Sequence, residues 1–156
     1  KIRKASLVDL EQLLAFEQDL IKTERRFDPT VKPDPVNYYD LRAMLTDPQI
    51  EMIVAEIKNK VIASGYARID KSKPYSKQSH HAYLGFMYVL PEYRGKGVNK
   101  RIMDVLKDWA AAKNITEFRL DVYYENVSAI KAYEKVGFSK YFLEMRYNLE
   151  DEKNKP

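Results

Sequence analysis

The chain of 156 residues has only five glycines, and two of them stand together in Tyr93-Arg94-Gly95-Lys96-Gly97-Val98. This run follows an apolar stretch, residues 82–89. It precedes Ile102, Val105, Leu106, Trp109 and Ala110, which recur at i, i+3, i+4, i+7 and i+8 and predict a helix with one apolar face. Glycine lets a backbone approach a ligand closely. A helix that begins here leaves its first N–H groups without acceptors, pointing outward with the positive end of the dipole. Arg94, Lys96, Lys100 and Arg101 add charge around them. A phosphate or diphosphate is the natural ligand. Two nucleotide patterns do not fit. The P-loop needs Gly-Lys-Ser/Thr after a four-residue gap, which Val98 and Asn99 do not supply. The dinucleotide fingerprint needs a third glycine where Lys100 stands.

A second constellation is Asn126, Ala129, Ile130 and Tyr133, spaced i, i+3, i+4 and i+7. On a helix these share one stripe. Asn126 at the start is suited to cap the helix or to bind a ligand amide. Tyr133 is a phenol of pKa about 10 and can donate a proton to a strongly basic leaving group. The plainer roles are a cap and core packing, since the chain holds 12 tyrosines.

The elements that must position these residues follow from periodicity. Residues 2–4 predict a short strand, and Ser6 with Asp9 predicts a helix start, the helix running to about Lys22. Residues 23–36, with Pro29, Pro33 and Pro35, predict a long loop, and 38–45 a second helix. Residues 51–57 and 61–69 predict a hairpin around Lys58-Asn59-Lys60. Residues 71–80 read as polar turns, 82–89 as a central strand, 118–124 as a strand, 126–136 as a helix closed by Gly137, and 141–149 as a last strand. Residues 1–149 form one domain, and 150–156 a polar tail expected to fray. The order predicts an α/β (α+β mixed) fold, a mixed sheet with helices on its faces.

Composition narrows the chemistry. Cysteine is absent, which excludes disulfides, thiolate metal sites and any acyl-cysteine relay. His80 and His81 are the only histidines, so no histidine-rich metal centre is expected and no metal is assigned. The formal charge of +4 suits an anionic ligand without demanding nucleic acid. No run reaches the roughly 18–20 apolar residues of a membrane span, and the charged residues 1–6 are not followed by an apolar run, so no secretory signal is expected, neither nucleic acid nor a membrane is expected as partner, and a cytoplasmic location is expected.

Together these residues resemble the GNAT superfamily of acyl-CoA-dependent N-acyltransferases. Val89-Leu90-Pro91-Glu92-Tyr93-Arg94-Gly95-Lys96-Gly97-Val98-Asn99 is similar to the family's Gln/Arg-x-x-Gly-x-Gly/Ala motif after a strand that ends near Val-x-Pro. Asn126, Ala129, Tyr133, Gly137 and Phe138 are similar to its Asn-x-x-Ala-x-x-x-Tyr-x-x-x-Gly-Phe run. The likeness extends from about Val54 to Leu149. Two positions depart from it. Asn99 stands where Gly or Ala is usual. The stretch Tyr83-Leu84-Gly85-Phe86-Met87-Tyr88 lacks the acidic residue that many members carry on the central strand.

The resemblance implies a central, mostly antiparallel sheet of six to seven strands with about four helices. It implies acetyl-CoA as acyl donor and a small-molecule or peptide amine as acceptor. Arg94, Gly95, Lys96, Gly97, Val98, Asn99 and Lys100 would hold the CoA diphosphate. Met87, Tyr88 and Val89 would pair with the pantetheine arm, which Asn126 and Ala129 would also meet, as a peptide adds to a sheet edge. Tyr133 would protonate the leaving thiolate after direct attack in a ternary complex. Glu24, Asp28, His80, His81, Asp121, Glu144 or a water chain would take the acceptor's proton. Arg25 and Arg26, in the 23–36 loop, hint at an acidic acceptor. Relatives of this kind also imply a homodimer. The competing expectations are a catalytically silent CoA sensor on the same fold and a small basic nucleic-acid-binding domain.

Overall fold

Three consecutive stretches carry near-continuous apolar runs, so each strand offers apolar side chains to both faces of a sheet. A computed structural model describes residues 1–153. In it, β1 (Ile2–Lys4), β2 (Ile50–Ile57), β3 (Lys60–Lys71) and β4 (His80–Val89) make an antiparallel meander, and β5 (Phe118–Arg119) joins β4 in parallel. Lys58 and Asn59 turn β2 into β3 with φ of 49° and 63°, the doubly left-handed geometry that a two-residue hairpin favours.

Helix α1 (Leu10–Glu24) and the single turn α2 (Leu41–Met44) cover one face, where Leu13, Phe16 and Leu41 meet Met52, Val54, Tyr66 and Phe86. Helix α3 (Val98–Ala111) covers the other, where Ile102, Met103 and Leu106 meet Ile53, Ala55, Ile62 and Leu84. Burying each large aliphatic chain contributes about 1.5–3 kcal/mol, so α3 is seated firmly and its N-terminus is fixed. A short 3-10 turn at Leu7–Asp9 precedes α1, and the Ser6 N–H donates to Asp9 Oδ2 at 2.8 Å. Helix α4 (Val127–Lys135) ends before Gly137, which has φ of 109°. Among the described residues no helix is long and apolar enough to cross a membrane.

Four expectations need correction. The sheet has five strands, not six to seven, and residues 141–149 are not among them. The fifth strand is two residues long instead of spanning 118–124, which offers too short a ladder for a further strand to pair on. Tyr141 and Phe142 accordingly stand 96% and 85% exposed. The second helix contracts to α2 because the Tyr38 and Tyr39 N–H groups donate to Glu17 Oε2, at 3.0 and 2.8 Å, and not into a helix. Where fraying was expected, Leu149–Lys153 forms a short helix, α5; residues 154–156 of the expected tail lie outside the described residues.

Candidate active site

Strands β4 and β5 are bonded only at Ala82↔Phe118 and Tyr83↔Arg119. Beyond that point β4 is bulged. Its register against β3 passes from Tyr66↔Gly85 to Ser64↔Tyr88, and Phe86 has φ of 52°. A bulge of this kind bends its strand and re-aims side chains. A cleft of about 400 Å³ opens at this level. Its walls bring together Met87, Tyr88, Val89, Arg94, Gly95, Gly97, Val98, Asn99, Asn126 and Ala129, with Thr23 and Phe27 from the end of α1 and its following loop. Lys96, Lys100 and Tyr133 do not line it.

Gly95 and Gly97 have φ of 76° and 79°, a sign that other residues adopt only under strain. A Cβ on either would meet nothing within 4 Å, so both glycines border open space. The Arg101 N–H donates to the Gly97 carbonyl at 3.2 Å as the first α3 bond. The N–H groups of Val98, Asn99 and Lys100 therefore have no acceptor within the helix. This geometry fits a diphosphate. Asn99 Oδ1 is buried there without a hydrogen-bond partner. The cationic side chains are turned elsewhere. Arg94 donates from Nε to the Val89 carbonyl at 2.8 Å and lies 5.7 Å over the Tyr88 ring. Lys96 lies 5.7 Å over the Tyr93 ring, and Lys100 donates to Asp104 at 2.8 Å. Asn126 Oδ1 accepts from the Ala129 N–H at 3.3 Å, a helix cap.

Tyr133 is partly buried, edge-on to Phe138 at 6.0 Å. Burial and then the charge of Glu24 raise its pKa. Of the possible bases, Glu24 is half-buried at the end of α1, and burial pushes its pKa up. Asp28 accepts from Thr30 and, at 2.9 Å, from the Tyr123 hydroxyl; these hydrogen bonds hold its pKa down. Asp121 accepts from the Tyr83 hydroxyl at 3.3 Å. The histidines sit at the start of β4. His80 is exposed beside Ser79, and His81 is buried with Nδ1 2.8 Å from Ser72 Oγ. Burial lowers the His81 pKa. Glu144 is exposed and accepts from Arg146 at 3.1 Å. Arg25 is held by Asp34 and the Lys32 carbonyl, whereas Arg26 donates from Nε to the Thr23 carbonyl and lines the cleft.

Sequence reasoning missed an aromatic cluster on the α1 side of the sheet: Tyr38, Tyr39, Tyr66, Tyr83 and Phe86, linked by ring contacts of 5.0–6.3 Å. The only signal was the high tyrosine count and the Tyr38-Tyr39 doublet.

The sheet thus parts beside the glycine turn that opens α3, and the end of α1 reaches the same cleft. A model of the Acetyltransferase (GNAT) family matches residues 15–138, and the chain belongs to that family. It is 26% identical over 121 residues to N-alpha-acetyltransferase 30 of Saccharomyces cerevisiae, which covers 76% of this chain and 68% of that protein. Several further curated relatives are matched over less than half of their own length. Among solved structures, a tetramutant of a Bacillus halodurans protein superposes with a TM-score of 0.84 at 19% identity, over 95% of this chain and 99% of that one. A "predicted acetyltransferase" of Clostridium acetobutylicum with acetyl-CoA gives 0.72 at 22% identity, over 97% of each. At such identities these structures show a shared fold.

Proposed function

We propose that this protein transfers an acetyl group from acetyl-CoA to a primary amine by direct attack in a ternary complex. The observation that carries the reading is the left-handed Gly95 and Gly97 turn feeding free N–H groups into a cleft beside a parted sheet. The diphosphate would lie on the 94–100 turn. The amide-bearing arm would run along Met87–Val89, toward Asn126 and Ala129. For this the Arg94 guanidinium must leave the Val89 carbonyl. Tyr133 would give its proton to the departing thiolate; a phenol with a raised pKa keeps that proton until a stronger base forms beside it. With no cysteine in the chain, no acyl-cysteine stage is available. The acceptor is a small-molecule or peptide amine; the yeast relative's name points to a peptide α-amine and other relatives' names to a lysine analogue. A cytoplasmic setting goes with this reading.

The test is thiol release from acetyl-CoA across a panel of amines and amino-terminal peptides. Amine-dependent release is expected. Saturable CoA binding with no release on any amine would favour the silent sensor.

A homodimer belongs to the same proposal. Tyr141, Phe142 and Met145 are 96%, 85% and 85% exposed. Antiparallel pairing of residues 141–149 with the same segment of a second copy, centred on Met145, would set Glu144 opposite the partner's Arg146. Opposite charges directly across a strand pair stabilise it. Light scattering on the purified protein should give twice the chain mass, and Met145→Asp should give the chain mass.

A further inference from the structure

Glu24 ends α1 and follows Thr23, a residue that lines the cleft. Aromatic rings close around it. The fully buried Glu17 carboxylate accepts from the Tyr38 and Tyr39 N–H groups and so fixes where both rings stand. The two rings meet edge-on at 5.9 Å, and Tyr39 continues to Tyr66 at 5.9 Å. From the other side Tyr123 stacks on Phe27 at 6.2 Å and donates to Asp28. Glu24 is near enough for its charge to act on the phenols of Tyr38, Tyr39, Tyr123 and Tyr133. It thus stands where α1, the 25–40 loop, α4 and the segment after β5 converge.

Two features of this place lack a protein partner. The Tyr38 hydroxyl is buried against Glu24 yet makes no hydrogen bond of acceptable geometry. Among the described residues, no lysine or arginine forms an ion pair with Glu24. Its sequence neighbours Arg25 and Arg26 bond elsewhere. A half-buried carboxylate without a cation, facing an unbonded hydroxyl and aromatic faces, is a seat for a cation brought from outside.

We propose that the acceptor enters as a primary alkylammonium ion, and that Glu24 seats it and takes its proton. The inference rests on the acetyl-transfer reading above. The ammonium gives one proton to the carboxylate. The freed nitrogen lone pair forms a bond to the thioester carbonyl carbon, the C–S bond breaks, and the sulfur takes a proton from Tyr133. The acylated nitrogen loses its second proton, which returns through water to the Tyr133 phenolate, and Glu24 releases its own proton to solvent. The balance is one amide, one thiol and one proton. Burial strengthens Glu24 as a base and the Asp28 charge acts in the same sense, while contact with Tyr38 opposes both.

The test is calorimetric titration of n-hexylammonium, with 1-hexanol as neutral counterpart, into the free protein and into protein saturated with CoA. The wild type should bind the ammonium and not the alcohol. Its affinity should fall as pH drops through the Glu24 pKa. Glu24→Gln should lose at least tenfold in ammonium affinity and all of that pH dependence, with CoA affinity unchanged. Tyr38→Phe should keep the pH dependence and lose a few-fold in affinity. Equal ammonium binding by wild type and Glu24→Gln, or no ammonium binding by the wild type, overturns the proposal. If Glu24→Gln does not fold, a flat pH profile in the wild type overturns it as well. Failure of CoA to bind while the ammonium still does counts against the acetyl-transfer reading and leaves the seat standing.

Discussion

The Tyr66 ring fills the space over Gly85: a Cβ added at Gly85 would stand 2.6 Å from both Cζ and Oη of that tyrosine. The two residues are directly opposed across β3 and β4. Because residue 85 has no side chain, the phenol crosses β4 and meets Tyr83 at 6.3 Å. In the 83–88 stretch, which carries no acidic residue, a tyrosine ring stands over the central strand.

Gly85→Ala should therefore overpack this layer, costing about 1–3 kcal/mol in urea unfolding. Tyr66→Leu should relieve the clash, so the double variant should be more stable than the sum of the two losses. Simple additivity would contradict the contact.

The glycine turn that opens α3 was legible because its signals are local. Gly95 and Gly97 sit between an apolar run and the helical face of Ile102, Leu106 and Trp109, and each signal survives folding unchanged. The Lys58-Asn59 turn was legible for the same reason. The bulge at Phe86 was not, since a bulky side chain carries no local sign of a positive φ. Nor was the fate of residues 141–149. Leu143, Met145, Tyr147 and Leu149 alternate as a strand should, but alternation cannot supply a neighbouring strand, and β5 stops after Arg119. Apart from the adjacent Tyr38 and Tyr39, the aromatic cluster assembles through tertiary contacts.

Arg3 joins β1 to the start of α1 and to β2. It donates twice to Asp9 at 2.9 Å and once to Glu56 at 2.7 Å. The Arg3 hydrogen bonds hold the Asp9 carboxyl below its ordinary pKa of about 4, despite burial. The stability this adds is complete above that ordinary value and is lost as pH falls through the lower folded value. Asp9→Asn should cost about 2 kcal/mol near pH 7, and the gap to wild type should close as the wild-type carboxyl is protonated. A gap that does not change with pH would contradict the pairing.

Arg94 occupies the Val89 carbonyl at 2.8 Å. If it leaves that carbonyl for a diphosphate, Arg94→Gln should weaken acetyl-CoA binding about tenfold and make the salt dependence of binding shallower. An unchanged salt slope would show that the guanidinium stays on the strand.

Tyr133→Phe should reduce turnover at least tenfold while CoA affinity stays within about twofold of wild type, the pattern of a group that acts on the leaving thiolate alone. A matched loss in binding would assign Tyr133 to packing against Phe138.

The most direct measurement is calorimetric titration of CoA into the wild type and into Gly97→Val, with thermal unfolding of both as the fold control. One CoA per chain is expected for the wild type, with a loss of at least tenfold when a β-branched side chain replaces the left-handed glycine at the α3 N-terminus. Equal affinity in the two proteins, or no binding by a folded wild type, would contradict the cradle and the acyl-transfer account built on it.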